Sequence, residues 1–181
     1  MVVSGAEAIG YKGLATFEFL RDSVGEFYFM EVNPRVQVEH TVTEMISGID
    51  LVSLGIRIAS GEEINLKQDE IILQGHSIQV RINAENPSTM QPSPGKIWEC
   101  HWPGGPGIRV DTHANTGYEI PECFDSLLAK IISWAPTRDE AIDRLYSALD
   151  ETILVGVDNL VPLHRRIMAV SYTHLTLPTK A

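Results

Sequence analysis

Two runs of β-forming residues, LATFEFL (14–20) and FYFMEVN (27–33), are separated by the polar, glycine-containing stretch RDSVGE. So short a connection between runs rich in Phe, Tyr, Leu and Val dictates an antiparallel hairpin. Pro34 follows at once and lacks the backbone N–H that a continuing ladder needs, so the second strand is predicted to end or bend there. Up to residue 39 the polar residues Glu31, Asn33, Arg35, Gln37 and Glu39 alternate with Val32, Val36 and Val38. A fully extended chain would put all five polar groups on one face, whereas a loop begun at Pro34 would not. The ordinary account of such a face is a solvated edge strand.

The rest of the chain mixes helical and strand patterns. SGAEAIGYKG (4–13) reads as the end of a helix stopped by Gly13. TVTEMISGIDLVSLGIRIASG repeats its apolar residues at mostly helical intervals with a break at Gly48, which predicts two helices around a glycine turn. From HSIQVRINAE to GIRVDTH, short strands split by NPS, PSPG and PGGPG predict an antiparallel layer, with Trp98, Trp102 and Trp134 packing it. DSLLAKIISWA fits either a strand or a buried helix. TRDEAIDRLYSALDET predicts an amphipathic helix capped by Thr137, with Ile142, Leu145 and Leu149 inward, and NLVPLHRRIMAV predicts a last short helix. The closing SYTHLTLPTKA has no helical phase and resembles translated cloning or adapter sequence, so residues 171–181 are read as a non-native tail.

A net charge of −10 argues against nucleic acid or an anionic membrane as the main partner. No run approaches the roughly 20 apolar residues that span a bilayer, and charged residues already fall within the first twenty, so a cytoplasmic protein is expected. Cys100 and Cys123 lack metal-ligand spacing and are too few for a disulfide framework, which suggests reduced structural thiols. The histidines do not cluster at metal spacing. PGGPG is not followed by Lys-Ser/Thr and reads as a turn near Arg109, not as a phosphate loop.

Glu18 lies between Phe17 and Phe19 on a strand suited to burial, and Glu31 lies between Met30 and Val32 on the facing one. Bare buried carboxylates are costly, and two that face each other repel unless a cation lies between them. A hard divalent ion accepts carboxylate and amide oxygens and keeps waters for substrate phosphates, which makes Glu18, Glu31 and Asn33 a candidate metal set. Two solvated edge-strand acids are the alternative. Arg35 can offer a planar fork of donors to an oxyanion, Gln37 a neutral donor, and Glu39 a base close by; surface ion pairs are the alternative for these.

TFEFL, FMEVNPRVQVEHTVTEMISGIDLV, RINAENP, PSPGKI, GGPGIRVDTH and FDSLLAKII, in this order from about residue 4 to about residue 170, together resemble biotin carboxylase, a member of the ATP-grasp superfamily. The resemblance implies an α+β chain: the second half of an ATP-grasp domain over residues 1–65, then a mostly antiparallel biotin carboxylase C-terminal domain over 66–170. It implies an ATP-dependent ligase that uses MgATP (or MnATP) and bicarbonate to carboxylate biotin on a carrier protein. Glu18 and Glu31 then look like the carboxylates that hold Mg²⁺ on ATP, with Asn33 as a further ligand. Arg35 resembles the arginine that binds bicarbonate together with Gln37 and the backbone of Val38. Glu39 matches the base that deprotonates bicarbonate, and Arg109 the arginine that contacts bicarbonate and steadies the biotin enolate.

The same resemblance implies a biotin carboxyl carrier protein or domain and a carboxyltransferase component as partners, and a homodimer in the parent enzyme. It covers less than half of a biotin carboxylase, without the N-terminal and lid domains that grip ATP phosphates. The chain is therefore expected to be inactive by itself, with apolar hairpin strands that lack sheet partners and limit its solubility. EVNPR is shared more widely, so another ATP-grasp ligase of the carbamoyl-phosphate type is an alternative, as is a non-catalytic assembly or dimerisation fragment.

Overall fold

A computed structural model describes residues 1–123 and 125–174. The chain divides into two compact units, Met1–Leu73 and a second that begins at Gln74.

The first unit holds helix α1 (Val2–Ala8), strands β1 (Thr16–Arg21) and β2 (Phe27–Asn33), and helices α2 (His40–Ser47) and α3 (Leu51–Ala59). α1 stops earlier than Gly13: the chain turns left-handed at Gly10, whose N–H and that of Tyr11 take up the Glu7 and Ala6 carbonyls. β1 and β2 form an isolated antiparallel pair, and β2 ends one residue before Pro34, where the missing N–H closes the ladder. The pairing contains a bulge. Phe19 pairs with Phe29 and Glu18 with Glu31, which leaves Met30 as the extra residue. Gly48 ends α2 at φ +70°, and the Asp50 side chain caps α3 by accepting from the Ser53 N–H at 2.8 Å.

In the second unit the main sheet has the order β3 (His76–Asn83), β8 (Leu127–Ala135), β6 (Ile108–Thr112), antiparallel throughout. DSLLAKIISWA is thus a strand, and its continuous apolar pattern fits a central position buried on both faces. Short pairs flank this sheet: β4 (Gly95–Lys96) with β7 (Glu119–Ile120), and β5 (Glu99–His101) with β9 (Ile153–Val155). Helix α4 (Arg138–Glu151) starts in a capping box in which Thr137 and Glu140 each bond the other's backbone N–H. It lays Ile142, Leu145 and Leu149 on Val80, Ile82, Ala129 and Ile131, and burial of each such side chain contributes roughly 1.5–3 kcal/mol.

Gly107, in PGGPG, leads into β6. At φ +73° it lets its carbonyl accept from the Trp134 N–H at 2.8 Å, and a Cβ there would collide with the Trp134 carbonyl oxygen. Arg109 is therefore placed by a backbone stitch to the central strand.

Three expectations change. Trp98 does not pack the layer: Ile97 is fully buried, so alternation turns Trp98 outward, 71% exposed. Cys123 is exposed and so is not a structural thiol, whereas Cys100 packs partly against a core cluster. The last helix, α5 (Val161–His174), is longer than expected and includes residues 171–174 of the suspected tail, because a helix that has started propagates one backbone bond per residue. The remainder of that tail lies outside the described residues. Among the described residues no helix is long and apolar enough to cross a membrane.

Candidate active site

The bulge sets Glu18 directly opposite Glu31, half-buried and exposed respectively. Their burial is less than the apolar flanks suggest, and the sheet that carries them has only two strands. Repulsion is nonetheless real at this spacing, and Asn33 answers it. Its Nδ2 donates to Glu18 Oε1 at 2.8 Å and to Glu31 Oε1 at 3.3 Å. Two carboxylates thus converge, oxygen donors suited to Mg²⁺ or Mn²⁺, while the Asn33 amide turns its NH₂ toward them and its Oδ1 toward Arg35 and would have to turn over to add an oxygen to the set. Among the described residues no group of three or more His, Cys, Asp and Glu converges, so an ion here would rest on these three and on its own water or phosphate oxygens.

The five polar residues do not share a strand face, because the strand ends at Asn33. A tight turn replaces it, with the Arg35 N–H bonded to the Asn33 carbonyl at 2.8 Å. The guanidinium of Arg35 then reaches both ways, to Asn33 Oδ1 at 3.5 Å and Gln37 Oε1 at 3.4 Å. These two bonds are long, but Nη1 also donates to the Val36 carbonyl at 3.2 Å, so the fork turns back on its own loop. Glu39 stands at the start of α2 without capping it by its side chain. Arg35, Gln37 and Glu39 line a cleft of about 340 Å³ that also takes in Thr16, His40 and Leu51.

His40 was legible only as one histidine among several, yet it clasps this loop. Its Nδ1–H donates to the Gln37 carbonyl at 2.6 Å, since a carbonyl can only accept. Its Nε2 lies 3.8 Å from Glu44 Oε2, and Glu44, buried, accepts the Leu51 N–H at 2.8 Å through Oε1. The i,i+4 spacing of His40 and Glu44 on a predicted helix was the available signal.

Arg109 belongs to the second unit. Its Nε and Nη2 donate to Asp111 Oδ1 at 2.7 Å and Oδ2 at 3.0 Å, and Lys130 Nζ lies 3.1 Å from the same Oδ2. Burial pushes the Asp111 carboxyl up, but hydrogen bonds and charge from Arg109 and Lys130 outweigh it and hold the group below the ordinary carboxylate range.

The sequence matches the family described as the biotin carboxylase C-terminal domain over residues 79–175, and the ATP-binding domain of the carbamoyl-phosphate synthase L chain over residues 2–67. It is 52% identical over 160 residues to the biotin carboxylase of Haemophilus influenzae, covering 88% of this chain and 36% of that protein. Among solved structures, the biotin carboxylase domain dimer of Hydrogenobacter thermophilus 2-oxoglutarate carboxylase, in complex with MgADP, ADP and bicarbonate, superposes with a TM-score of 0.89 at 48% identity. That match covers 93% of this chain and 37% of the other. The biotin carboxylase component of a pyruvate carboxylase superposes with a TM-score of 0.89 at 44% identity, covering 93% of this chain and 38% of the other. The chain therefore spans about a third of the length of the proteins it matches. With more than half of its residues inside one family's pattern, the chain belongs to the biotin carboxylase C-terminal domain family, preceded by ATP-grasp sequence.

Proposed function

We propose that this chain carries the metal, bicarbonate and biotin-facing residues of a biotin carboxylase. The carrying observation is the hydrogen-bonded row Glu18, Glu31, Asn33, Arg35, Gln37, which leads to a cleft lined by Glu39. In this reading residues 1–65 are the C-terminal part of an ATP-grasp domain, 66–170 the biotin carboxylase C-terminal domain, and 171–181 a non-native tail. Glu18, Glu31 and Asn33 would hold Mg²⁺ or Mn²⁺, whose charge offsets that of the ATP phosphates.

Arg35, Gln37 and the Val38 N–H bind the bicarbonate oxygens, and Glu39 takes the bicarbonate proton. The oxyanion so formed attacks the γ-phosphorus, ADP leaves, and carboxyphosphate results. Carboxyphosphate separates into CO₂ and phosphate, the phosphate takes the ureido proton of biotin, and the enolate attacks CO₂. Arg109 balances the enolate charge in place of water.

The partners on this reading are a biotin carboxyl carrier protein or domain and a carboxyltransferase component, with a homodimeric parent in the cytoplasm. The final acceptor is set by the transferase, in keeping with solved relatives named for pyruvate and 2-oxoglutarate carboxylases. The match of residues 2–67 to a carbamoyl-phosphate synthase domain favours a second reading as a carbamoyl-phosphate-type ligase, which the match over 79–175 weighs against.

The test is biotin-dependent phosphate release from MgATP and bicarbonate by the purified chain, with and without the N-terminal portion of a relative. The expected outcome is no release by the chain alone and release with the complement, lost on Arg35→Ala or Glu39→Gln. Release by the chain alone above its Glu39→Gln variant overturns the expected inactivity. A folded, complemented chain that releases no phosphate overturns the catalytic reading and leaves an assembly fragment.

A further inference from the structure

We propose that Asp111 is a positioning residue for Arg109, and that Lys130 restores the positive charge which Asp111 would otherwise cancel at that arginine. The proposal rests on the reading of Arg109 as the group that meets bicarbonate and the biotin enolate.

Arg109 and Asp111 are two residues apart on β6, so they share a face of the sheet. The antiparallel register places Asp111 directly opposite Lys130 on β8. From these positions the carboxylate takes the guanidinium edge-on through both oxygens, at 2.7 and 3.0 Å, which fixes the plane of the fork as well as its location. A flexible arginine is thereby set in one orientation before any substrate arrives.

Such a clamp has an electrostatic consequence. An arginine paired to a carboxylate presents no net charge to an approaching oxyanion. Lys130, its side chain only 13% exposed and its Nζ 3.1 Å from Oδ2, draws on the same carboxylate and leaves the three side chains with one net positive charge. Orientation and charge are therefore separate jobs, done by Asp111 and Lys130 respectively. A plain interstrand salt bridge would show no such division.

The experiment follows the Arg109 Nε–Hε resonance of the ¹⁵N-labelled full chain, assigned by its absence in Arg109→Lys, and turnover of the chain completed by the N-terminal portion of a relative. Asp111→Asn is expected to shift the resonance and speed its solvent exchange at least about tenfold, and to lower kcat about a hundredfold. Asp111→Glu is expected to restore both in large part. Lys130→Met is expected to leave the resonance in place and raise the bicarbonate KM about tenfold with little change in kcat. Unchanged resonance and kcat in Asp111→Asn overturn the positioning role, and an unchanged KM in Lys130→Met overturns the charge role, including where Asp111→Asn fails to fold. Full activity of Arg109→Met, or no turnover in any combination, overturns the underlying reading of Arg109 and the proposal with it.

Discussion

The two units of this chain treat apolar surface in opposite ways. Among the described residues every buried hydrophobic side chain, from Val80 to Met168, belongs to the second unit, while the buried residues of the first are Thr41 and Glu44. In the first unit Leu20, Phe27, Tyr28, Phe29 and Met30 are each more than half exposed on a two-stranded ribbon. An isolated hairpin of this kind is marginal in water. The unit that bears most of the proposed chemistry therefore has little hydrophobic stability of its own, and the unit that bears Arg109 has a closed core. Site and core are separable: polar groups can be ordered by turns and hydrogen bonds where packing is thin.

The largest expected effect is on hydrogen exchange. Amides of β1 and β2 are expected to exchange about 10³-fold or more faster than those of β8 and α4, equivalent to roughly 4 kcal/mol between local and global opening. Adding the N-terminal portion of a relative should slow the hairpin amides and leave β8 unchanged; equal protection of both regions in the chain alone would break the comparison. Next, Leu145→Ala should cost about 2–5 kcal/mol in denaturant unfolding, whereas Phe29→Ala should stay within about 0.5 kcal/mol. A comparable loss from Phe29→Ala would mean the hairpin is packed in solution.

The smallest effect concerns pH and the second unit alone. Burial pushes His164 below the ordinary imidazole value, partly offset by its Nε2–H donating to the Arg81 carbonyl at 2.8 Å. The folded state thus binds this proton less readily than the unfolded chain, which takes it up near pH 6.5. Stability is full above that pH and declines as pH falls through it toward the lower folded value. Melting temperatures of wild type and His164→Gln between about pH 7.5 and 5.5 should diverge in slope, with the variant flatter; parallel slopes would remove His164 from the account.

Much of this architecture was written in local chemistry. Thr137 with Glu140 three residues on, and the Ile142, Leu145, Leu149 stripe, specify α4 within a single short run of chain, and the two β-rich runs specify the hairpin, although the bulge that sets Glu18 against Glu31 is not written in their alternation. What local pattern could not supply was context. Whether Glu31 or Phe29 is covered depends on layers far away in sequence, and Trp98 looked like core until Ile97 took the inward position. The pairing of Asp111 with Lys130 spans two strands, so a single-strand pattern cannot show it. Residue roles came from long motifs in register, and their geometry from turns that alternation alone misplaces, as at Arg35.

One extra residue decides which side chains meet on the ribbon. With the turn fixing Leu20 to Tyr28 and Phe19 to Phe29, an unbroken ladder would continue with Glu18 against Met30 and Phe17 against Glu31. Phe19 and Phe29 stack edge to face in either case, 5.8 Å apart, but Met30 drops out of the count and the two carboxylates meet beyond it. The acidic pair is thus an arithmetic property of the chain: the bulge absorbs Met30, so deleting that residue would leave an unbroken ladder with the two glutamates still opposed.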